Sequence, residues 1–157
     1  MTMNGEKPAR VVPAPLLVVG CLGAGWLAHR LWPIRFLPDL GGWGTAAGAA
    51  IVLGALAIGL AGVREFHRRG TPTSPFQPST ALVTSGVFRF TRNPMYLGLV
   101  LVGLGVAVAF DSAALLVASL VLALLLQAAV IRPEERALAA RYGAAFEKYR
   151  LETRRWI

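Results

Sequence analysis

Formal charges are missing from four long stretches of this chain and cluster between them. None occurs between Arg10 and Arg30, none across the 24 residues between Asp39 and Arg64, none across the 18 between Arg92 and Asp111, and none across the 20 between Asp111 and Arg132. At 1.5 Å of rise per residue each stretch crosses roughly 30 Å of hydrocarbon, the third only just. The pattern predicts four transmembrane helices, at about residues 13 to 31, 42 to 63, 95 to 110 and 112 to 131. Only Phe110 and Asp111 join the third to the fourth, so these two form a tight antiparallel hairpin. The first is long and has no small-residue cleavage site after it, so it does not read as a removable signal. Trp26, Trp32 and Trp43 fall near the ends of the first two spans, where aromatic belts sit.

The polar segments have patterns of their own. From Gly70 to Gly86 the chain carries Pro72, Pro75 and Pro78 and holds no regular helix. Phe76, Leu82 and Val83 favour a stretch lying on the membrane surface over a free linker. Past the fourth span Pro133 opens a new helix, with Glu134 and Glu135 in a first turn that suits acidic groups. Leu138, Tyr142, Phe146 and Tyr149 recur at helical spacing among charged residues, which predicts an amphipathic C-terminal helix over 133–150. The fold expected is an all-α membrane protein with about four transmembrane helices, a tight C-terminal helical hairpin and a cytoplasmic amphipathic C-terminal helix. It comprises a short N-terminal tail, 1–12, and a single domain, 13–157, with a cytoplasmic loop at 64–94.

Composition agrees with this reading and adds direction. The chain of 157 residues is 55% apolar and only 15% charged, whereas soluble domains carry about 25% charged residues. That balance excludes disorder and argues against a soluble nucleic-acid binder, despite a net charge of +8. One cysteine, Cys21, allows no intrachain disulfide. With four spans, 14 of the 16 Lys and Arg residues fall on the side that holds both termini and the central loop, and only Arg30 and Arg35 on the other. The positive-inside rule places that basic side, with both termini, in the cytoplasm of a multi-pass protein of the cell (inner) membrane. Part of the excess serves to hold this face against anionic lipid head groups.

Glycines thin the helices. Gly44 and Gly48 make a GxxxG pair that leaves a dimer possible, and Gly98, Gly103 and Gly105 line the third span. Gly103-Leu104-Gly105 follows no strand, so it is no dinucleotide fingerprint; close helix packing is one reading, a cofactor ring against bare backbone the other. Neither the two histidines, His29 and His67, nor Cys21 makes a metal-ligand cluster, and no metal is expected.

The chemistry concentrates at the feet of the hairpin. Arg89 and Arg92, flanked by Phe88 and Phe90, precede Asn93 and Pro94, where Asn can cap the third span and Pro can open it. These residues have a purely structural reading as a capped helix start with interfacial arginines. That reading leaves cations at a helix N-terminus, where the dipole disfavours them and where a bound anion would remove the conflict. The hairpin returns the chain to the same side, so Arg92, Asn93, Pro94 and Tyr96 meet Arg132, Glu134 and Glu135 beside an apolar cleft. Such a site offers arginine to a carboxylate, glutamate to an ammonium or ribose hydroxyls, and apolar walls to a flat ring. S-adenosylmethionine carries all of these groups, and an anionic lipid head group would satisfy the arginines equally well.

From Gly70 to Ile157 the chain resembles the membrane methyltransferases related to isoprenylcysteine carboxyl methyltransferase and to phospholipid N-methyltransferases. The resemblance rests on Gly70-Thr71-Pro72 to Leu82-Val83, on Gly86-Val87-Phe88-Arg89-Phe90-Thr91-Arg92-Asn93-Pro94-Met95-Tyr96-Leu97-Gly98, and on Glu134-Glu135 followed by Leu138, Tyr142-Gly143, Phe146, Tyr149 and Arg155-Trp156-Ile157. It implies an integral membrane enzyme that binds S-adenosylmethionine near the cytosolic face and methylates a lipophilic acceptor, lipid or small molecule, entering from the bilayer. By position, Arg92, Asn93, Pro94, Met95, Tyr96, Glu134 and Glu135 would line the cofactor pocket, with the C-terminal helix closing it; Arg89 and Gly103 join them as cofactor candidates from the charge and glycine patterns above. Eukaryotic prenylcysteine enzymes have His where this chain has Asn93, and Arg154 stands where a proline often precedes the terminal Arg-Trp.

Methyl transfer from an activated sulfonium is chiefly positioning and desolvation. The glutamates are expected to hold the aminoacyl or ribose end, clear of the sulfur. Were the acceptor an amine, Glu135 or Tyr149 would be the candidate base. The reading from a different class is a non-catalytic lipid-binding or accessory membrane protein of the same fold.

Overall fold

The computed structural model describes residues 13–39, 42–70 and 81–157. The tail 1–12 and most of the proline-rich loop, with Pro72, Pro75, Phe76 and Pro78, lie outside the described residues. The remainder is all helical. Helix α1 spans Ala14–Leu31, α2 Gly42–Arg68, α3 Pro94–Ala109, α4 Ala113–Leu126, α5 Arg132–Tyr142 and α6 Ala144–Glu152, with a 3-10 turn at Gly86–Arg89 before α3. Among the described residues three helical segments are long and apolar enough to cross a membrane, Ala14–Leu31, Gly42–Arg68 and Ala113–Tyr142. The chain is therefore a multi-pass membrane protein. Leu16, Val19, Leu53 and Leu124 are among the large apolar side chains left exposed on these helices, as a lipid-facing surface requires.

The third apolar stretch behaves differently. Helix α3 has 16 residues, about 24 Å of rise, and falls short of α2 and of the continuous helical segment Ala113–Tyr142. It packs against both α2 and α4, while α1 packs on α4 and reaches α3 through Leu22, beside Gly103. Glycine makes that central place available. A Cβ on Gly48 of α2 would stand 2.5 Å from both the Ala109 nitrogen and the Gly105 oxygen of α3, and one on Gly98 would stand 2.9 Å from the Ala55 oxygen. Without side chains there, the two backbones close to van der Waals contact, which drives helix association in a solvent as apolar as the side chains. Gly48 is thus covered by α3 of the same chain, whereas a Cβ on Gly44 would meet only the Val108 oxygen, at 3.9 Å.

At the far end of α3, Phe110, Asp111 and Ser112 lead into α4. Asp111 adopts a left-handed φ of 44°, and its carboxylate accepts from the Phe36 and Leu37 backbone N–H groups at 2.9 and 2.8 Å and from Arg35 Nε at 2.6 Å. The α1–α2 connection is thereby hooked to the tip, and Ser112 Oγ caps α4 by accepting from the Leu115 N–H.

Three expectations are corrected. Pro133 does not open a separate helix: α4 runs through a π turn, Gln127–Ile131, into α5. The Arg132 N–H donates to the Gln127 carbonyl five residues back, and this widened turn lets the helix pass a proline that would clash with an ordinary i−4 carbonyl. The amphipathic helix over 133–150 is two helices, broken at Gly143, whose φ of +50° suits a residue without Cβ. Asn93 flanks α3 but makes no side-chain cap; its amide is used elsewhere, as described below.

The glycine contacts make a paired test. Gly48→Ala in detergent-purified protein is expected to lower the melting temperature, by overpacking of about 1–3 kcal/mol. Gly54→Ala, with nothing within 4 Å, is expected to be neutral or stabilising, since alanine is favoured in a helix by about 1 kcal/mol. Equal effects from the two would refute the close α2–α3 approach.

Candidate functional site

The end of the bundle opposite Asp111 is assembled from four pieces of chain. The first is the C-terminal end of α2, where Glu65 accepts a hydrogen bond from Ser85 Oγ and Arg69 Nη2 donates to the same hydroxyl at 3.0 Å. This ties down the 3-10 turn, whose Phe88 is buried against Phe66 with ring centroids 5.3 Å apart. The second piece, Thr91-Arg92-Asn93, runs from that turn to α3. The third is the start of α5, bearing Glu134 and Glu135. The fourth is the C-terminal tail after α6.

The tail lies along the second piece and is held largely through its own backbone. Arg92 N–H donates to the Arg154 carbonyl at 2.9 Å, and the Arg155 carbonyl accepts from Asn93 Nδ2 at 2.9 Å and Thr91 Oγ1 at 3.3 Å. Trp156 Nε1 donates to Gln127 Oε1 at 2.8 Å, reaching the π turn. Helix α6 is pinned as well: Tyr149 is buried, and its hydroxyl donates to the Phe88 carbonyl at 2.7 Å.

Charge converges inside this frame. Arg155 Nε lies 3.1 Å from both oxygens of Glu135, and its Nη2 donates to Oε2 at 2.6 Å. Arg92 Nη2 approaches Glu135 Oε1 at 3.4 Å. Beside them Tyr96 donates its hydroxyl proton to Glu134 Oε1 at 2.7 Å. Burial pulls the Arg92 guanidinium below its ordinary pKa, opposed by Glu135 and aggravated by the neighbouring Arg155. Its hydrogen bonds to Glu135 hold Arg155 above the ordinary value. The Nε and Nη1 of Arg92 are buried and have no partner. An orphaned cationic donor of this kind fits an anionic ligand group.

Arg92, Asn93, Pro94, Tyr96, Glu134, Glu135 and Tyr149 line one cavity, walled by Phe66, Leu82, Val83 and Phe146 among others. It encloses about 80 Å³, space for the polar end of a ligand. Two predicted cofactor residues lie elsewhere. Arg89 is exposed in the 3-10 turn and outside the lining. Gly103 sits at the α3–α4 crossing, where a Cβ would meet Ser119 Oγ at 2.5 Å, so it serves helix packing. Of the two candidate bases, Glu135 has its oxygens facing two guanidiniums, and Tyr149 donates its hydroxyl proton to the Phe88 carbonyl. Sequence reasoning missed the placement of Thr91, Gln127, Arg155 and Trp156. Gln127 carried a signal, as a polar side chain near the end of an otherwise apolar run.

An all-helical, multi-pass membrane protein with a cavity of paired charges and apolar walls at one end of its bundle is the class this architecture defines. A family model described as phospholipid methyltransferase matches residues 43–145, more than half of the chain, and the protein belongs to that family. It is thereby a methyltransferase of the S-adenosylmethionine-dependent kind. No curated protein and no solved structure matches it.

Tyr149 gives the site a pH signature. Burial raises its hydroxyl pKa, partly opposed by Arg92. The unfolded chain loses this proton from about pH 10 while the folded chain keeps it, so the stabilisation is complete below that pH and is lost as pH rises toward the folded value. Tyr149→Phe is expected to lower stability at neutral pH by about 1–3 kcal/mol, because the Phe88 carbonyl loses its partner. It should also flatten the fall in melting temperature between about pH 9 and 11. An alkaline slope identical to wild type would show that Tyr149 is not the group responsible.

Proposed function

We propose that the cavity binds the aminoacyl end of S-adenosylmethionine at the cytoplasmic face of the cell membrane and that the acceptor is a lipophilic molecule arriving from the bilayer. The observation that carries this reading is the pairing of a buried, incompletely partnered Arg92 with the Tyr96–Glu134 hydrogen bond in one cavity. Arg92 suits the ligand carboxylate, and Glu134, steadied by Tyr96, suits the ammonium or the ribose hydroxyls. Glu135 is the counter-ion that holds both guanidiniums in place. The cofactor, when bound, supplies a methyl group already activated on a sulfonium.

The protein's own contribution is then to orient and to exclude water. A carboxylate against the sulfonium would favour the ground state, since that positive charge disappears on transfer, so both glutamates belong at the polar end of the ligand. With Glu135 clamped and the Tyr149 proton committed, Glu134 is the remaining carboxylate of the cavity. This favours an acceptor that arrives as a nucleophile without help, a carboxylate, a thiolate or an amine already deprotonated. The short α3, flanked by α2 and α4, completes four spans and returns both termini to the side carrying 14 of the 16 basic residues.

Purified protein in detergent is expected to melt at a higher temperature with S-adenosylhomocysteine, and Glu134→Ala and Tyr96→Phe should each weaken that shift, the first about tenfold or more in apparent affinity. No shift at millimolar ligand with folded protein would sink the reading. Membranes incubated with methyl-labelled cofactor should then carry the label in a lipid-extractable acceptor.

A further inference from the structure

The two arginines that share Glu135 divide it unequally. Arg155, whose side chain is 33% exposed, takes both oxygens in a fork, whereas Arg92, only 9% exposed, keeps one contact of 3.4 Å. Stability alone would arrange the reverse. A buried guanidinium nitrogen without an acceptor costs more than an exposed one, because water can serve the exposed group. Arg92 nevertheless retains two buried, unpartnered nitrogens while the better-solvated cation holds the carboxylate.

We infer that Arg155, carried on the C-terminal tail, is a positioning residue that keeps Arg92 available to a ligand carboxylate by taking up Glu135 itself. The inference rests on the reading that the cavity receives the aminoacyl end of S-adenosylmethionine. A carboxylate has two oxygens and about four lone-pair sites. The fork of Arg155 holds the paired, chelating side of those oxygens, so Arg92 meets Glu135 through a single nitrogen at 3.4 Å; without it, Arg92 would take that fork and its charge would be spent inside the protein. The tail that sets this balance lies beyond residues 43–145, the part matched by the family model. Its placement does not depend on the Arg155 side chain: the Arg154 and Arg155 carbonyls and Trp156 are held by Arg92 N–H, Thr91, Asn93 and Gln127. Removing the guanidinium therefore leaves the rest of the attachment in place.

The test compares two ligands on full-length protein in detergent, by titrating the melting temperature with S-adenosylhomocysteine and with its decarboxylated analogue, which keeps the amine. Wild type is expected to prefer the carboxylate-bearing ligand. Arg155→Ala should weaken S-adenosylhomocysteine about tenfold and leave the analogue within about twofold, so that the preference collapses. Arg155→Lys, a point charge that cannot fork, should fall between, and it supplies the same ratio if the alanine variant does not fold. Adding Glu135→Gln to Arg155→Ala should restore the preference, since the amide no longer draws Arg92 by charge. Equal weakening of both ligands in the Arg155 variants, or no restoration by Glu135→Gln, would overturn the inference and leave the tail a purely structural strap. A wild type that binds both ligands equally overturns it too, with the cofactor reading intact; a wild type that binds neither removes both.

Discussion

Glu135 is a carboxylate only 13% exposed, and three parts of the chain distant in sequence meet on it: the start of α5, the approach to α3 and the C-terminal tail. Taking such a group out of water costs several kcal/mol, recovered only if its partners are well placed. The site therefore stands or falls as a set. Arg92 would be disfavoured beside the positive end of α3 without an anion, and Glu135 on the facing leg provides one. Two guanidiniums on one carboxylate leave a net positive charge, and the Tyr96–Glu134 pair sets a negative one beside it. Opposite charges held a short distance apart are what a zwitterionic ligand end requires.

Much of the fold was legible because hydrocarbon is an exacting solvent. A formal charge inside it is costly, so charge-free runs marked the helices, and Asp111 marked the tip between α3 and α4. What escaped was local helix geometry. Helix α2 runs on to Arg68, past the expected end at 63, because propagation past the bilayer needs no apolar residues. The π turn has no compositional signature, since Gln127 to Ile131 would propagate as α-helix equally well. The break at Gly143 was foreseeable from the glycine alone, but helical spacing of Tyr142, Phe146 and Tyr149 runs straight across it.

Within the site, residues placed by topology were legible and those placed by backbone were not. Arg92, Asn93, Tyr96, Glu134 and Glu135 lie at two feet of one helical pair, so chain direction alone brings them together. Arg89, three residues before Arg92, diverges from it because the 3-10 turn ends at Arg89 and the chain runs on irregularly, with a bend at Arg92, where a spacing of three no longer means a shared face. The tail is attached mainly through the carbonyls of Arg154 and Arg155, and a carbonyl is the same in every residue. Asn93 shows the converse: the residue type read as a cap from its place before Pro94 spends its amide on the tail instead.

Pro133, the π turn, Gln127 and Trp156 belong to one arrangement. A helix that faces lipid along α4 must bear carboxylates toward α3 a few residues later, and a proline at that point would ordinarily break it. Widening one turn shifts the backbone bonds away from the i−4 carbonyl, so the proline passes without a break. Gln127, at the start of that turn, receives the indole N–H of Trp156. The same irregularity that carries the helix past the proline thus also anchors the tail from which Arg155 reaches Glu135. A straightened turn would move the carboxylates and the tail together, which is why the site depends on a local defect in the longest helical run among the described residues.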